Sequence, residues 1–282
     1  MKYRLSLLLA AFLWSTSFPI IKYGLGFSNP FELVFLRFVF AAGGVLIFFL
    51  WKGIIHWSVL KNRTLILLGV INTAGFIFQF QGQNLTTSSK AAILIHLNVI
   101  FVAFLSKFIL KEKLNFKKIM AIGFSLTGVI LIGTHLKISS FTQINFKGDM
   151  LILLAALSWA FYIIFSKKIV SLISPKEIVF GVMIWTFLFL TIVTVPSGKV
   201  SFSSLSTILI ALYLGIFCSI IPYFLYTFSL KKITATTSSI YLLIEMVFAV
   251  TLSVLFLKDR LTIFDLIGSI FIITGIYLGS NK

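Results

Sequence analysis

The chain alternates long apolar stretches with short polar interruptions. A helix that crosses the hydrocarbon of a bilayer needs about 20 residues, range ~17–25. Ten stretches meet that length: residues 5–23, 30–51, 64–81, 87–110, 116–134, 148–167, 175–195, 204–229, 233–257 and 262–280. Hydrocarbon offers the backbone no water to bond with, so each stretch is expected to satisfy its own amides as a helix. The interruptions carry turn residues, as at Phe27–Pro30, Ser139–Asp149 and Pro196–Lys199, and none has the length of a soluble domain. The N-terminal run looks at first like a secretory signal. Further apolar spans follow at once, so it reads as the first transmembrane helix.

The pattern also repeats. Leu105–Leu114 reads LSKFILKEKL and Leu252–Leu261 reads LSVLFLKDRL, with five of ten positions identical at an offset of 147. PFELVF at Pro30–Phe35 returns as PKEIVF at Pro175–Phe180, an offset of 145 that Trp14 and Trp159 share. Self-similarity over half a chain predicts two related units, residues 1–137 and 147–282. Each holds five spans, an odd number, so the second must enter the membrane upside down relative to the first. The predicted fold class is an all-α integral membrane protein: ten transmembrane helices in two inverted five-helix repeats around a central cavity. Rocking two such bundles about a midplane site exposes that site to each side in turn, which is the physical basis of a carrier.

Composition agrees. Of 282 residues, 59% are hydrophobic and 11% charged, where a soluble chain carries about a quarter charged residues. Lipid must therefore be the solvent. The net charge of +17 comes from basic residues scattered singly between apolar runs, so a nucleic-acid partner is excluded. With the N-terminus cytoplasmic, sixteen Lys and Arg fall on the inner side and seven on the outer. This bias places both termini in the cytoplasm and the protein in the cytoplasmic membrane. The single cysteine, Cys218, has no partner for a disulfide and no metal motif around it, and no cofactor is expected. The partners expected are a small-molecule substrate and the bilayer, with the chain a monomer or weak homodimer.

Ionisable side chains inside a span are expensive, so each is a functional candidate. Glu245 lies 12 residues from either end of its predicted span. It can carry a coupling proton, pair with a substrate ammonium, or bond to a neighbouring helix as a structural carboxylate. His96, mid-span, can relay protons or join two helices. Arg37 reads as a structural charge, partnered by Glu32 or by carbonyls, with substrate contact the alternative. Asn98 is two residues from His96, roughly 200° around a regular helix, so the two are not expected to face the cavity together. Asn72, Gln79 and Gln83 stand at i, i+7 and i+11 on one face, either a polar cavity wall or interhelical glue. Trp14, Trp159 and Tyr162 lie at repeat-related depths, and Tyr223 and Tyr226 flank the kink expected at Pro222. Glycines 123, 128 and 133 and glycines 268, 275 and 279 suit close helix approach.

Several of these segments resemble the EamA branch of the drug/metabolite transporter superfamily. LLAAFLWSTSFPIIK is similar to the family's first helix, with Ser15 where Gly is usual. NPFELVFLRFVFAA carries the Pro at the helix start and the Arg seven residues on, Arg37. SSIYLLIEMVFAVTLSVLFLKDRLT is similar to the ninth helix, with Glu245 matching the family's Glu and Met246 in place of Pro. LIHLNVIFVAFLSKFILKEKL has Asn98 and Val99 in the corresponding places. The resemblance covers nearly the whole chain. It implies metabolite transport through a cavity lined by helices one, three and four and their counterparts six, eight and nine, with helices five and ten peripheral.

The function expected is secondary transport of amino acids or related neutral, zwitterionic or cationic compounds, as an exporter, with protons a possible coupling ion. No phosphate-cradling GxxxxGK[ST] motif is present to drive it with ATP. A lipid flippase or multidrug exporter of the same superfamily is the alternative. An integral membrane enzyme fits less well, because the seven acidic residues form no metal-binding cluster and Glu112, Asp149, Glu177 and Asp259 sit at helix ends.

Overall fold

The computed structural model describes residues 1–280 apart from 55, 137–144, 199, 201–203, 253 and 256–259. Lys137, Lys199, Lys258 and Lys282 of the charge bias lie outside the described residues, as does Asp259 of the repeated segment. Ten helices are long and apolar enough to span a membrane. They are α1 (Lys2–Gly24), α2 (Pro30–Lys52), α3 (Arg63–Leu85), α4 (Lys90–Ile109), α5 (Phe116–Thr134), α6 (Phe146–Ile169), α7 (Pro175–Thr194), α8 (Leu205–Leu230), α9 (Ala235–Leu252) and α10 (Ile263–Ser280). All ten predicted spans are found, with ends moved by a few residues. The described residues contain no strand.

The helix starts follow from local chemistry. Asn29, Asn62, Thr87, Asn115, Asn145, Ser174, Ser204 and Thr234 each accept a hydrogen bond from a backbone N–H of the first turn. Thr262 and Asp265 do so reciprocally at the start of α10. Free N–H groups at a helix start are costly in an apolar setting, and these side chains satisfy them. Phe104, Phe108, Ile192 and Ile270 are exposed on the bundle surface, as a lipid solvent requires.

Packing follows a pattern that survives exchange of the two halves. α1 packs on α8 as α6 packs on α3; α2 meets α8 as α7 meets α3; α1 meets α9 as α6 meets α4; and α2 with α7, α4 with α9 and α5 with α10 pair directly. α5 and α10 are the least buried spans, peripheral as expected. Their seam is tight: a Cβ on Gly128 would collide with the Gly268 carbonyl, and one on Gly268 would sit 2.8 Å from the Gly128 carbonyl. Gly123, expected to serve the same contact, has nothing within 4 Å of a Cβ. It lies on the outer surface instead.

Four spans are interrupted. α1 breaks at Thr16, α4 at Leu97, and α9 between Leu242 and Glu245, while α8 carries a π-helical turn over Ile216–Ile220 just before Pro222. Arg4 Nη2 donates to the Ser280 carbonyl at 2.8 Å, so the two chain ends lie at the same end of the bundle.

Candidate functional site

The interruptions meet around one buried cavity of about 100 Å³. Its lining comes from α1 (Trp14, Ser17, Phe18), α2 (Arg37), α3 (Phe76, Gln79), α4 (Ile95, His96, Asn98), α6 (Trp159, Tyr162, Ile163), α8 (Tyr223, Tyr226) and α9 (Leu242, Glu245). These are the helices the resemblance implies, with α2 added.

Fourteen of the sixteen lining residues form seven pairs at the two repeat offsets. Trp14 pairs with Trp159, Ser17 with Tyr162 and Phe18 with Ile163 at 145; Phe76 with Tyr223, Gln79 with Tyr226, Ile95 with Leu242 and Asn98 with Glu245 at 147. Arg37 and His96 alone lack a lining partner, because Val182 and Leu243 stand at their counterpart positions. Ser17, Phe18, Phe76, Ile95, Ile163 and Leu242 were not among the predicted site residues. Applying the repeat offsets to Tyr162 and Tyr223 would have found Ser17 and Phe76; Phe18 pairs with Ile163 and Ile95 with Leu242, so no predicted residue pointed to those four.

Each polar group is set by its helix. Pro222 has no N–H to give the carbonyl four residues back, which is that of Cys218. That oxygen turns out of α8 and accepts from Arg37 Nη2 at 2.6 Å and from Trp14 Nε1 at 3.1 Å. Arg37 Nε donates to Ser219 Oγ at 2.8 Å, and the guanidinium lies 4.4 Å from the centre of the Phe76 ring. The expected carbonyl partner for Arg37 is thus Cys218. The same side chain also lines the cavity, so both readings of Arg37 stand.

His96 and Asn98 both line the cavity, against expectation. The 200° separation assumed a regular helix, and α4 is broken at Leu97. At the break Leu97 N bonds the Leu94 carbonyl, three residues back instead of four, and the His96 ring places its Nδ1 2.6 Å from the Ala92 carbonyl. Nδ1 therefore carries the ring proton, and Nε2 faces the Glu245 carboxylate at 3.8 Å. Asn98 and Glu245 each begin the second segment of a broken span.

The amide stripe on α3 divides. Gln79 lines the cavity and accepts from Trp159 Nε1 at 3.3 Å. Asn72 stands behind the wall, accepting from the Tyr223 hydroxyl at 2.5 Å and donating to Thr186 Oγ1 at 2.9 Å. Gln83 is buried away from the cavity, and its backbone carbonyl accepts from Lys22 Nζ at 3.0 Å. Periodicity put all three on one face, but the cavity is shorter than that stripe. Tyr162 packs edge-on against Tyr223, with ring centres 5.5 Å apart.

Among the described residues, the two ends of the bundle differ. At the end bearing the termini, Glu112 accepts from Ala235 N at 2.6 Å, Thr236 N at 3.2 Å and Thr236 Oγ1 at 2.9 Å, and Ser106 bonds to Thr236 at 2.8 Å. α4 is thereby fastened to the start of α9. At the opposite end a vestibule of about 1130 Å³ opens between α1, α5, α8, α9 and α10. Phe18 lines both spaces, its ring stacked on His96 with centres 6.3 Å apart.

Broken membrane helices converging on a buried polar cavity define the class of polytopic membrane carriers. The model of the EamA-like transporter family matches residues 1–134 and again 146–280, and the chain belongs to that family. An "Uncharacterized transporter" of Archaeoglobus fulgidus is 28% identical over all of this chain and 98% of its own length. A "Probable amino-acid metabolite efflux pump" of Escherichia coli strain K12 is 28% identical over 96% of this chain and 92% of its own. One crystal structure at 18% identity covers 98% of this chain and 95% of its own with a TM-score of 0.83, which shows the fold.

Proposed function

We propose that this protein is a secondary carrier that exports small metabolites, namely amino acids or related neutral, zwitterionic or cationic compounds. It works by alternating access in the cytoplasmic membrane, with both termini in the cytoplasm. The observation that carries the reading is the paired lining: residues at the two repeat offsets surround one deep polar cavity. Two inverted halves that enclose a shared site can rock about it, each mouth being the mirror of the other. The likeness to an amino-acid metabolite efflux pump supports both substrate class and direction.

In this reading residues 1–137 and 147–282 are the moving bodies, and the described arrangement is the outward-facing one. The Glu112 fastening closes the cytoplasmic mouth, and the vestibule faces outside. Coupling falls to Glu245 and His96, which share one proton across their 3.8 Å gap. The vestibule supplies that proton, and rocking delivers it to the other side. The driving force is an ion gradient, and the protein performs no chemical reaction.

The test is a proteoliposome screen of amino acids and metabolites, with and without an imposed pH gradient. Accumulation or counterflow of a small zwitterion, steeper with the gradient, is expected; failure of every compound under both conditions overturns the carrier reading. The large apolar vestibule favours one second reading, a flippase or multidrug exporter. Movement of fluorescent lipid or lipophilic cations, and of no amino acid, would select it.

A further inference from the structure

We infer that the cavity recognises the two charged ends of a small free amino acid, with Arg37 taking the carboxylate and Glu245 the ammonium. The assignment rests on the carrier reading and deepens it. Arg37 is buried among neutral partners only: the Cys218 carbonyl, the Ser219 hydroxyl and the Phe76 ring. Those contacts use Nε and Nη2. The Nη1 edge makes no hydrogen bond among the described residues, and the side chain lines the cavity. A guanidinium keeps its charge at any working pH, and a cation held at that depth calls for an anion.

Glu245 lines the same cavity and makes no hydrogen bond among the described residues; its neighbour is the His96 ring at 3.8 Å. Arg37 and Glu245 form no ion pair with each other. A molecule carrying one carboxylate and one ammonium bridges the two without leaving net charge in the membrane. Both arms also stand where the two halves differ, since Val182 and Asn98 occupy the counterpart positions. The site therefore has a positive and a negative pole, although its aromatic walls are paired. The cavity is small, about 100 Å³, which suits a small amino acid.

Trp14 and Trp159 line the cavity and report on occupancy. The experiment titrates the purified full-length protein in nanodiscs with L-alanine, L-serine, L-cysteine and L-threonine, following tryptophan fluorescence. Each is compared with its carboxamide, which lacks the anionic end, and its 2-hydroxy acid, which lacks the ammonium. Wild-type protein is expected to prefer the amino acid over either analogue by about tenfold to a hundredfold, the span of a hydrogen bond to a charged group. Arg37→Gln should erase the acid-over-amide preference. Glu245→Gln should erase the amino-over-hydroxy preference alone. A merely structural arginine would weaken acid and amide together. Should either variant fail to elute as a monodisperse peak, the wild-type comparison decides alone. Equal wild-type affinity for acids and amides overturns the assignment. If the proteoliposome screen then still shows transport of compounds lacking a carboxylate, the carrier reading survives; if nothing moves, both fall.

Discussion

At the scale of the residue, one oxygen organises the site. The Cys218 carbonyl, released by Pro222, holds both Arg37 and Trp14. Pro222→Ala restores an N–H four residues on, which competes for that oxygen. Expected outcomes are a regular α8 and weaker amino-acid binding in the fluorescence titration, with stability unchanged or raised. Behind the wall, Asn72 bonds Tyr223 and Thr186, and Asn72→Ala leaves a buried hydroxyl unpaired at a cost of ~1–3 kcal/mol. A lower melting temperature in detergent checks this. Glu245→Gln removes the acidic proton but keeps the shape, so pH-driven accumulation should vanish while passive exchange persists. Retained pH-driven accumulation at the wild-type level would exclude Glu245 from coupling. Glu245 and the tryptophans were legible in the sequence, one because a mid-span carboxylate is costly and the others because they repeat. Arg37 was legible as a charge, with substrate contact only the alternative reading. Its position depends on a carbonyl 181 residues away, and nothing local in α2 records that contact.

At the scale of the element, the helix count and helix starts were legible because lipid enforces them. Apolar length fixes each span, and Asn, Ser or Thr fixes where it begins. The breaks were not. The resemblance leads one to look for proline near residues 99 and 246, where Val99 and Met246 stand, yet α4 and α9 break there regardless. In α9 the chain tightens through three-residue bonds, Leu243 N to Ile240 O and Ile244 N to Tyr241 O. In α4 Leu97 N likewise bonds the Leu94 carbonyl, three residues back, beside the His96 ring on the Ala92 oxygen. These are tertiary settlements between helices, invisible to a single-helix pattern. The α5–α10 seam gives a matched test. Gly128→Val forces a side chain into the Gly268 backbone and should cost ~1–3 kcal/mol, whereas Gly123→Val meets open space and should cost little. Thermal unfolding of the two variants side by side reads the difference. Equal loss in both would mean that α5 and α10 do not pack as described.

At the scale of the whole molecule, the lysine clamp inside each half is duplicated, whereas the Glu112 fastening runs from one half to the other. Lys22 Nζ donates to the Gln83 and Thr86 carbonyls, tying α1 to the end of α3. Lys167 Nζ donates to the Leu230 and Ile233 carbonyls, tying α6 to the end of α8. Donors 145 apart reach acceptors 147 apart, so each half carries the same internal clamp. A clamp inside one half moves with it and opposes no rocking. The Glu112 fastening is different in kind, since it joins α4 of one half to α9 of the other and must break if the terminus-bearing mouth is to open. Three hydrogen bonds to a carboxylate at a helix start outweigh water by ~1–3 kcal/mol, enough to shift a two-state population about tenfold to a hundredfold. Glu112→Ala should therefore raise the labelling rate of a cysteine at Leu242 by a membrane-impermeant maleimide applied from the side of the termini, in a Cys218→Ser background. Applied from the opposite side, the same reagent should label that cysteine more slowly, because one population feeds the other. A rate that rises from both sides would indicate loosening of the whole bundle, and rates unchanged on both sides would place the closing contact elsewhere.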